Sequence, residues 1–316
     1  MEFGYIVPTR GPFGNRESAL AIARHADALG FGYVACTDHI VVPRAIDSTY
    51  PYTQSGQFPG SASGEYMEPL ALLGCLAGAT EKVRLLTSVM VVPHRPAVLT
   101  AKMLATIDVM SGGRVTLGCG AGWMREEFEA IGAPPFDKRG KVTDEYIAAF
   151  RELWTQDDPR FDGEFVNFSD IIFLPKPIQK PIPIWTGGES GRALRRAAQI
   201  ADGWYPVGNN PAHPLNTLEL YSAKLDEFRG LAEGYGRDPA SIVQAYWAMW
   251  YQADQTLNAD DGARVLMTGS DDQVLDDIGR LGELGVKVIM LGYAAPSLSE
   301  MLDNMSRFAE EIASNI

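Results

Sequence analysis

A chain of 316 residues, 46% hydrophobic and 21% charged, has the composition of a soluble globular protein and the length for one large α/β domain or two medium ones. Its net charge of −13 argues against the basic face that nucleic acid requires, so any anionic ligand must be held by local groups. No apolar run approaches the ~20 residues of a membrane helix, and Met1-Glu2-Phe3-Gly4-Tyr5 enters a strand pattern with no basic segment, so neither a membrane span nor a signal peptide is expected.

Apolar runs with strand character alternate with helical periodicity along the chain. Strands are predicted at residues 3–7, 33–37, 84–91, 114–117, 182–186, 203–205, 243–251 and 288–291. The first helix carries Ala19, Ile22, Ala23, Ala26 and Leu29 at helical spacing and ends at Gly30. Further helices are expected at 69–79, 97–110, 137–153, 190–200, 214–233, 271–284 and 297–312. Eight strands each followed by a helix is the count of a closed (β/α)8 TIM barrel. An open doubly wound sheet is the alternative, although no Gly-rich dinucleotide fingerprint follows the first strand. The whole chain, 1–316, reads as one domain with insertions after strands two and four. The first, 44–65, is rich in Ser, Gly, Pro and Tyr and is expected to be a lid. The second, 161–183, reads as a short hairpin and a Pro-rich approach to strand five. Loops of this length are usually functional or disordered.

The strand outlets carry the candidate chemistry. Thr37-Asp38-His39 closes strand two, where His39 could donate or accept a proton near neutrality and Asp38 could orient it; a hydrogen-bonded strand end is the plainer alternative. Ser88 and Val89 lie at the third outlet, where the Ser hydroxyl could meet a ligand or simply form a turn. Gly120-Ala121-Gly122 follows strand four, presenting bare backbone to a flat ring or making a tight turn, and Trp123 would wall a pocket or cover the rim. Gly187-Gly188-Glu189-Ser190 leads from strand five into a helix that Ser190 can cap, leaving free N–H groups and the helix dipole for an anion. One of Arg192, Arg195 and Arg196 could reach a phosphate there. Tyr246, Trp247 and Trp250 read as core and rim aromatics, and Glu126 and Glu127 as dipole-stabilised acids at a helix start. Cys36, Cys75 and Cys119 sit in apolar segments and read as buried free thiols of a reducing cytoplasm. His25, His39, His94 and His213 show no metal-ligand spacing, so no metal is expected.

These outlets together resemble the bacterial luciferase-like flavin and deazaflavin oxidoreductases. The resemblance rests on Phe3-Gly4-Tyr5-Ile6-Val7-Pro8, on Asp38-His39, and on the run from Ala105 through Ser111-Gly112-Gly113-Arg114 into Gly120-Ala121-Gly122-Trp123. It extends through Gly187-Gly188-Glu189-Ser190 to Ala201-Asp202-Gly203-Trp204. It implies a barrel with a flavin-type ring at its C-terminal mouth, phosphate on residues 187–190, a non-proline cis peptide at Ser88-Val89 behind the ring, and His39 facing the ring. Coenzyme F420 is the implied cofactor, with FMN the alternative, and the implied reaction is hydride transfer to or from a small organic substrate. The alternatives are a two-component monooxygenase fed by a separate flavin or F420 reductase, and a catalytically idle flavin-binding protein. A homodimer is expected. Sugar-phosphate dehydrogenases of this family place a Glu as proton partner just after the strand-four glycines, where this chain has Trp123.

Overall fold

In the computed structural model, residues 1–60, 64–251, 254–292 and 295–316 are described. Eight parallel strands form the centre: β1 (Glu2–Ile6), β2 (Tyr33–Cys36), β3 (Arg84–Thr87), β4 (Val115–Gly120), β5 (Ile184–Gly187), β6 (Gly203–Tyr205), β7 (Val243–Ala248) and β8 (Val286–Leu291). Neighbours run β3-β2-β1-β8-β7-β6-β5-β4, and β3 pairs with β4, with Leu85 opposite Val115, to close the barrel. Every residue of β2 is buried, as a strand covered on both faces requires. Tyr33, Ala35, Leu86, Trp185, Tyr205, Ala245, Val288 and Met290 fill the barrel interior.

The helices are α1 (Arg16–Leu29), α2 (Pro69–Ala77), α3 (Ala97–Ser111), α4 (Arg125–Ala130), α5 (Arg139–Thr155), α6 (Gly191–Ile200), α7 (Leu218–Gly234), α8 (Asp271–Glu283) and α9 (Leu298–Arg307). Their ends obey local chemistry. The Asn15 side chain accepts the Ser18 N–H to begin α1, and Gly30 ends it in the left-handed region. Ser270 and Gln273 form a reciprocal capping box on α8.

The expected strand 84–91 is broken. The chain leaves the ladder at the Ser88-Val89 peptide, which is cis, and a short strand, Met90–Val91, then pairs with the end of β4, Met90 facing Cys119 and Val91 facing Gly120. The segment before β5 forms a hairpin that pairs Phe161 with Phe168 and Asp162 with Asn167, and the Glu145 carboxylate accepts the N–H groups of Glu164, Phe165 and Val166.

The motif Ser111-Gly112-Gly113-Arg114 serves the base of the barrel. The Arg114 guanidinium donates to the carbonyls of Ala77, Thr80, Val83 and Ser111, fastening the end of α2 to the start of β3. Asp108 is fully buried and its carboxylate accepts from Val115 and Gln179. One cysteine departs from expectation: Cys36 and Cys119 are buried, but Cys75 is exposed on the outer face of α2.

Candidate active site

Asp38 and His39 stand side by side in the chain and do different work. Asp38 does not orient His39. Its carboxylate takes both terminal nitrogens of Arg95 at 2.8 Å each and also accepts the Val91 N–H at 2.8 Å. Consecutive side chains of an extended segment point to opposite sides, so Asp38 faces the third outlet and His39 the fourth. Arg95 is also bound by Glu68, at 2.8 Å.

His39 is held instead by Glu127, which is 1% exposed. The imidazole Nδ1 lies 2.7 Å from Glu127 Oε2, while Oε1 accepts the N–H groups of Ile40 at 2.7 Å and Val41 at 3.2 Å. Glu127 lies in the first turn of α4, as expected, and the short helix also turns its carboxylate inward onto His39. The available signal was an acid with no basic residue three or four positions on, beside Phe128. Sequence reasoning also passed over His94. It is buried edge-on to Phe128, its Nδ1 3.9 Å from Glu127 Oε1, and neither ring nitrogen has a hydrogen-bond partner. Burial lowers its pKa, which favours the neutral ring.

The segment 44–65, expected as a lid, packs beside His39 through Phe58, and its residues Ser61, Ala62 and Ser63 lie outside the described residues. Glu126 Oε1 accepts the N–H groups of Asp47 and Ser48, at 2.8 and 2.9 Å, anchoring the lid to α4. Phe58 and Tyr66 pack on His39 with ring centroids 4.9 and 4.8 Å away. Trp123 stands edge-on to His39 at 6.2 Å and against Tyr50 and Phe58. Across the mouth, Asn209 Nδ2 donates to the Tyr52 carbonyl at 3.3 Å. The lid thus reaches from the β2 outlet to the segment after β6.

Val89 is the meeting point of the other outlets. A Cβ added at Gly120 would stand 2.7 Å from Val89 Cγ2, and one at Gly187 would stand 3.2 Å from Val89 Cγ1. Bare backbone at both positions is what lets the β4 and β5 outlets close around this side chain. Ser88 Oγ lies 2.9 Å from the Tyr205 hydroxyl, whose ring stacks on Trp247. The buried indole N–H of Trp247 has no hydrogen-bond partner among the described residues, whereas Tyr246 donates to the Leu215 carbonyl and Trp250 to that of Leu266. Of the three aromatics, Trp247 alone has its polar atom uncommitted.

At the fifth outlet Gly188 has a φ of +98°, a region that favours glycine. Ser190 occupies the N-cap of α6, but its hydroxyl makes no cap hydrogen bond. That expectation fails, and the first-turn N–H groups keep their capacity for an anion. Glu189 turns inward, 1% exposed, accepting from Val207 N–H at 2.8 Å and Asn210 Nδ2 at 2.9 Å. Burial pushes its pKa up to about 7, which lowers its negative charge beside the open helix end. Arg196 is committed to Asp144 and the Gly140 carbonyl. Arg195 stays near the loop, its Nη1 3.5 Å from where a Cβ of Gly191 would lie. No group of three or more His, Cys, Asp or Glu side chains suited to a metal ion occurs among the described residues. No helix among them is long and apolar enough to cross a membrane.

Comparison with known proteins identifies the family. Residues 1–248 match the family of luciferase-like monooxygenases. An uncharacterized protein of Mycobacterium tuberculosis is 31% identical over 305 residues, 94% of this chain and 95% of that protein. The FMNH(2)-dependent dimethylsulfone monooxygenase of Pseudomonas putida is 35% identical over 200 residues, 62% of this chain and 53% of that enzyme. Among solved structures, an F420-dependent secondary alcohol dehydrogenase in complex with an F420-acetone adduct superposes with a TM-score of 0.76 at 20% identity, covering 99% of this chain and 98% of the other. That likeness speaks to the barrel alone. The match over residues 1–248 and the full-length relative together place this chain in the luciferase-like monooxygenase family of oxidoreductases.

Proposed function

We propose that the barrel mouth binds coenzyme F420 and passes a hydride between it and a small organic substrate. The observation that carries this reading is the arrangement of the rim. A carboxylate-anchored His39, walled by Phe58, Tyr66 and Trp123, lies at one outlet, and an uncapped helix end after Gly187-Gly188 lies at another. Ser88, Val89, Gly120, Ala121 and Gly122 would support the ring, and residues 187–190 would hold the phosphate through backbone N–H groups. The bound coenzyme supplies a ring carbon that gives or takes the hydride. The protein orients substrate against it, excludes water with the lid, and sets a proton donor or acceptor at His39.

The second reading is a two-component monooxygenase using reduced FMN from a separate reductase, with O2 as co-substrate. The Pseudomonas putida relative, named as FMNH(2)-dependent, favours it. Titration with coenzyme F420 and FMN side by side, followed by O2 consumption with each reduced cofactor, tests the two. Tight F420 binding without O2 uptake supports the first, and O2 uptake with reduced FMN supports the second. Tight binding without turnover of either would support an idle cofactor-binding protein.

We also infer a homodimer. α3 leaves Val98, Leu99, Val109 and Met110 exposed, an apolar face that a second copy would cover. The protein then belongs to the reducing cytoplasm, where Cys36, Cys75 and Cys119, none in a disulfide, remain thiols.

A further inference from the structure

We propose that Glu127 is a positioning residue that fixes the tautomer of His39, keeping the proton on Nδ1 and leaving Nε2 bare toward the mouth. It rests on the oxidoreductase reading for its consequence, but its geometry stands independently.

Backbone N–H groups can only donate, and Ile40 and Val41 both aim theirs at Glu127 Oε1, at 2.7 and 3.2 Å. An ionised carboxylate has only acceptors to offer. In that form its second oxygen, Oε2, meets His39 Nδ1 at 2.7 Å as an acceptor, and Nδ1 supplies the hydrogen. A neutral imidazole has one N–H, so Nε2 then holds a lone pair. No hydrogen bond to a described residue engages Nε2. The other titratable neighbour does not compete: His94 Nδ1, at 3.9 Å from Oε1, lies beyond hydrogen-bond reach. Phe58, Tyr66 and Trp123 present rings to the imidazole and restrict its rotation. His39 therefore presents an acceptor at the reacting centre. A substrate hydroxyl can donate a hydrogen bond or a proton to it, whereas a substrate carbonyl finds no donor there until Nε2 is protonated.

Glu127→Gln is a sharp test, because the same accounting forces a reversal. The amide oxygen must go to the Ile40 and Val41 N–H groups, so the NH2 faces His39. Nδ1 then has to accept, and the proton moves to Nε2. With 15N-labelled histidine, assigned through the absence of one signal set in His39→Asn, the pyridine-type nitrogen is expected to be Nε2 in the natural protein. In Glu127→Gln it is expected to be Nδ1, both read above the ordinary imidazole titration range. Turnover with F420 and a secondary alcohol as probe substrate should fall about 10²-fold in Glu127→Gln, within the range for a displaced acid–base group, with F420 affinity changed less than threefold. An Nε2-bound proton or two protonated nitrogens in the natural protein would overturn the proposal. So would an unchanged tautomer in a folded Glu127→Gln. If the natural protein shows Nδ1–H but turns over no substrate with F420, the tautomer assignment survives and the reading as an F420-dependent hydride-transfer enzyme fails. The natural protein's spectrum decides even if the variant does not fold.

Discussion

Replacing Asp38 by Ala separates a role in the fold from a role in chemistry. The carboxylate is fully buried, takes both terminal nitrogens of Arg95, and is the acceptor for Val91 N–H. Its removal leaves a largely buried guanidinium short of two charge-assisted hydrogen bonds and a backbone donor without a partner. Breaking a buried pair in this way costs about 3–5 kcal/mol. Glu68, half-buried at 34% side-chain exposure, keeps its hold on Arg95, which reduces the expected loss to about 2–4 kcal/mol. At about 2.1 cal/mol/K per residue, a 316-residue chain unfolds with an entropy of roughly 0.66 kcal/mol/K, so Tm should drop by about 3–6 °C. Turnover per folded molecule should change less than threefold, because His39 is held by Glu127. Calorimetry and initial rates on the same preparation measure both. A full-strength Tm with turnover down a hundredfold would show that Asp38 acts through His39 after all, and the reasoning from its hydrogen bonds would be wrong.

Three further outcomes are expected. His39→Ala should lower turnover by ~10²–10⁴-fold while cofactor affinity, set at the fifth outlet, changes little by fluorescence titration; a full-rate variant would remove His39 from the chemistry. Gly188→Ala and Gly188→Asp should both lose stability by about 1–3 kcal/mol, because φ is +98° and a Cβ would meet that of Ala193 at 2.8 Å. Only the Asp variant adds charge repulsion, so its Kd should rise at least tenfold above that of the Ala variant, and equal values would move the phosphate elsewhere. Glu189, raised from the usual carboxylate range to about 7, binds its proton more tightly folded than unfolded. Its contribution to stability is therefore complete below about pH 4.5 and is lost as pH rises to about 7, by an amount on the order of 3 kcal/mol. Urea unfolding between pH 5 and 8 should show that decline in the natural protein and a flatter profile in Glu189→Gln, and identical slopes would contradict the assignment.

Glu126 and Glu127 are neighbours that face different parts of the site. Both begin the same short helix and both are acids, yet one carboxylate holds the lid backbone and the other holds His39. The lid and His39 are thus fastened to adjacent residues of α4. Any displacement of that helix acts on closure and on the imidazole together.

Strand and helix order, the eight-fold alternation, and the outlets at residues 38–39, 88–89, 120–122 and 187–190 were legible in the chain itself. Their cues are local: apolar periodicity, glycines where backbone must approach closely, and capping residues at helix starts. Family motifs added the expected cis bond between Ser88 and Val89, which the structure contains. Partner choice was not legible. Asp38 and His39 are neighbours in sequence, and the nearest reading paired them, but the extended backbone sends one to Arg95, 57 residues on, and the other to Glu127, 88 residues on. Neither separation carries a period or a motif, since closure of the barrel alone brings β2, β3 and β4 side by side. Burial of Glu127 and Glu189, and the missing cap at Ser190, were likewise decided by how loops from different strands meet at the rim. Local spacing sets elements and candidate residues, whereas hydrogen bonds between residues far apart in the chain exist only once the barrel has closed.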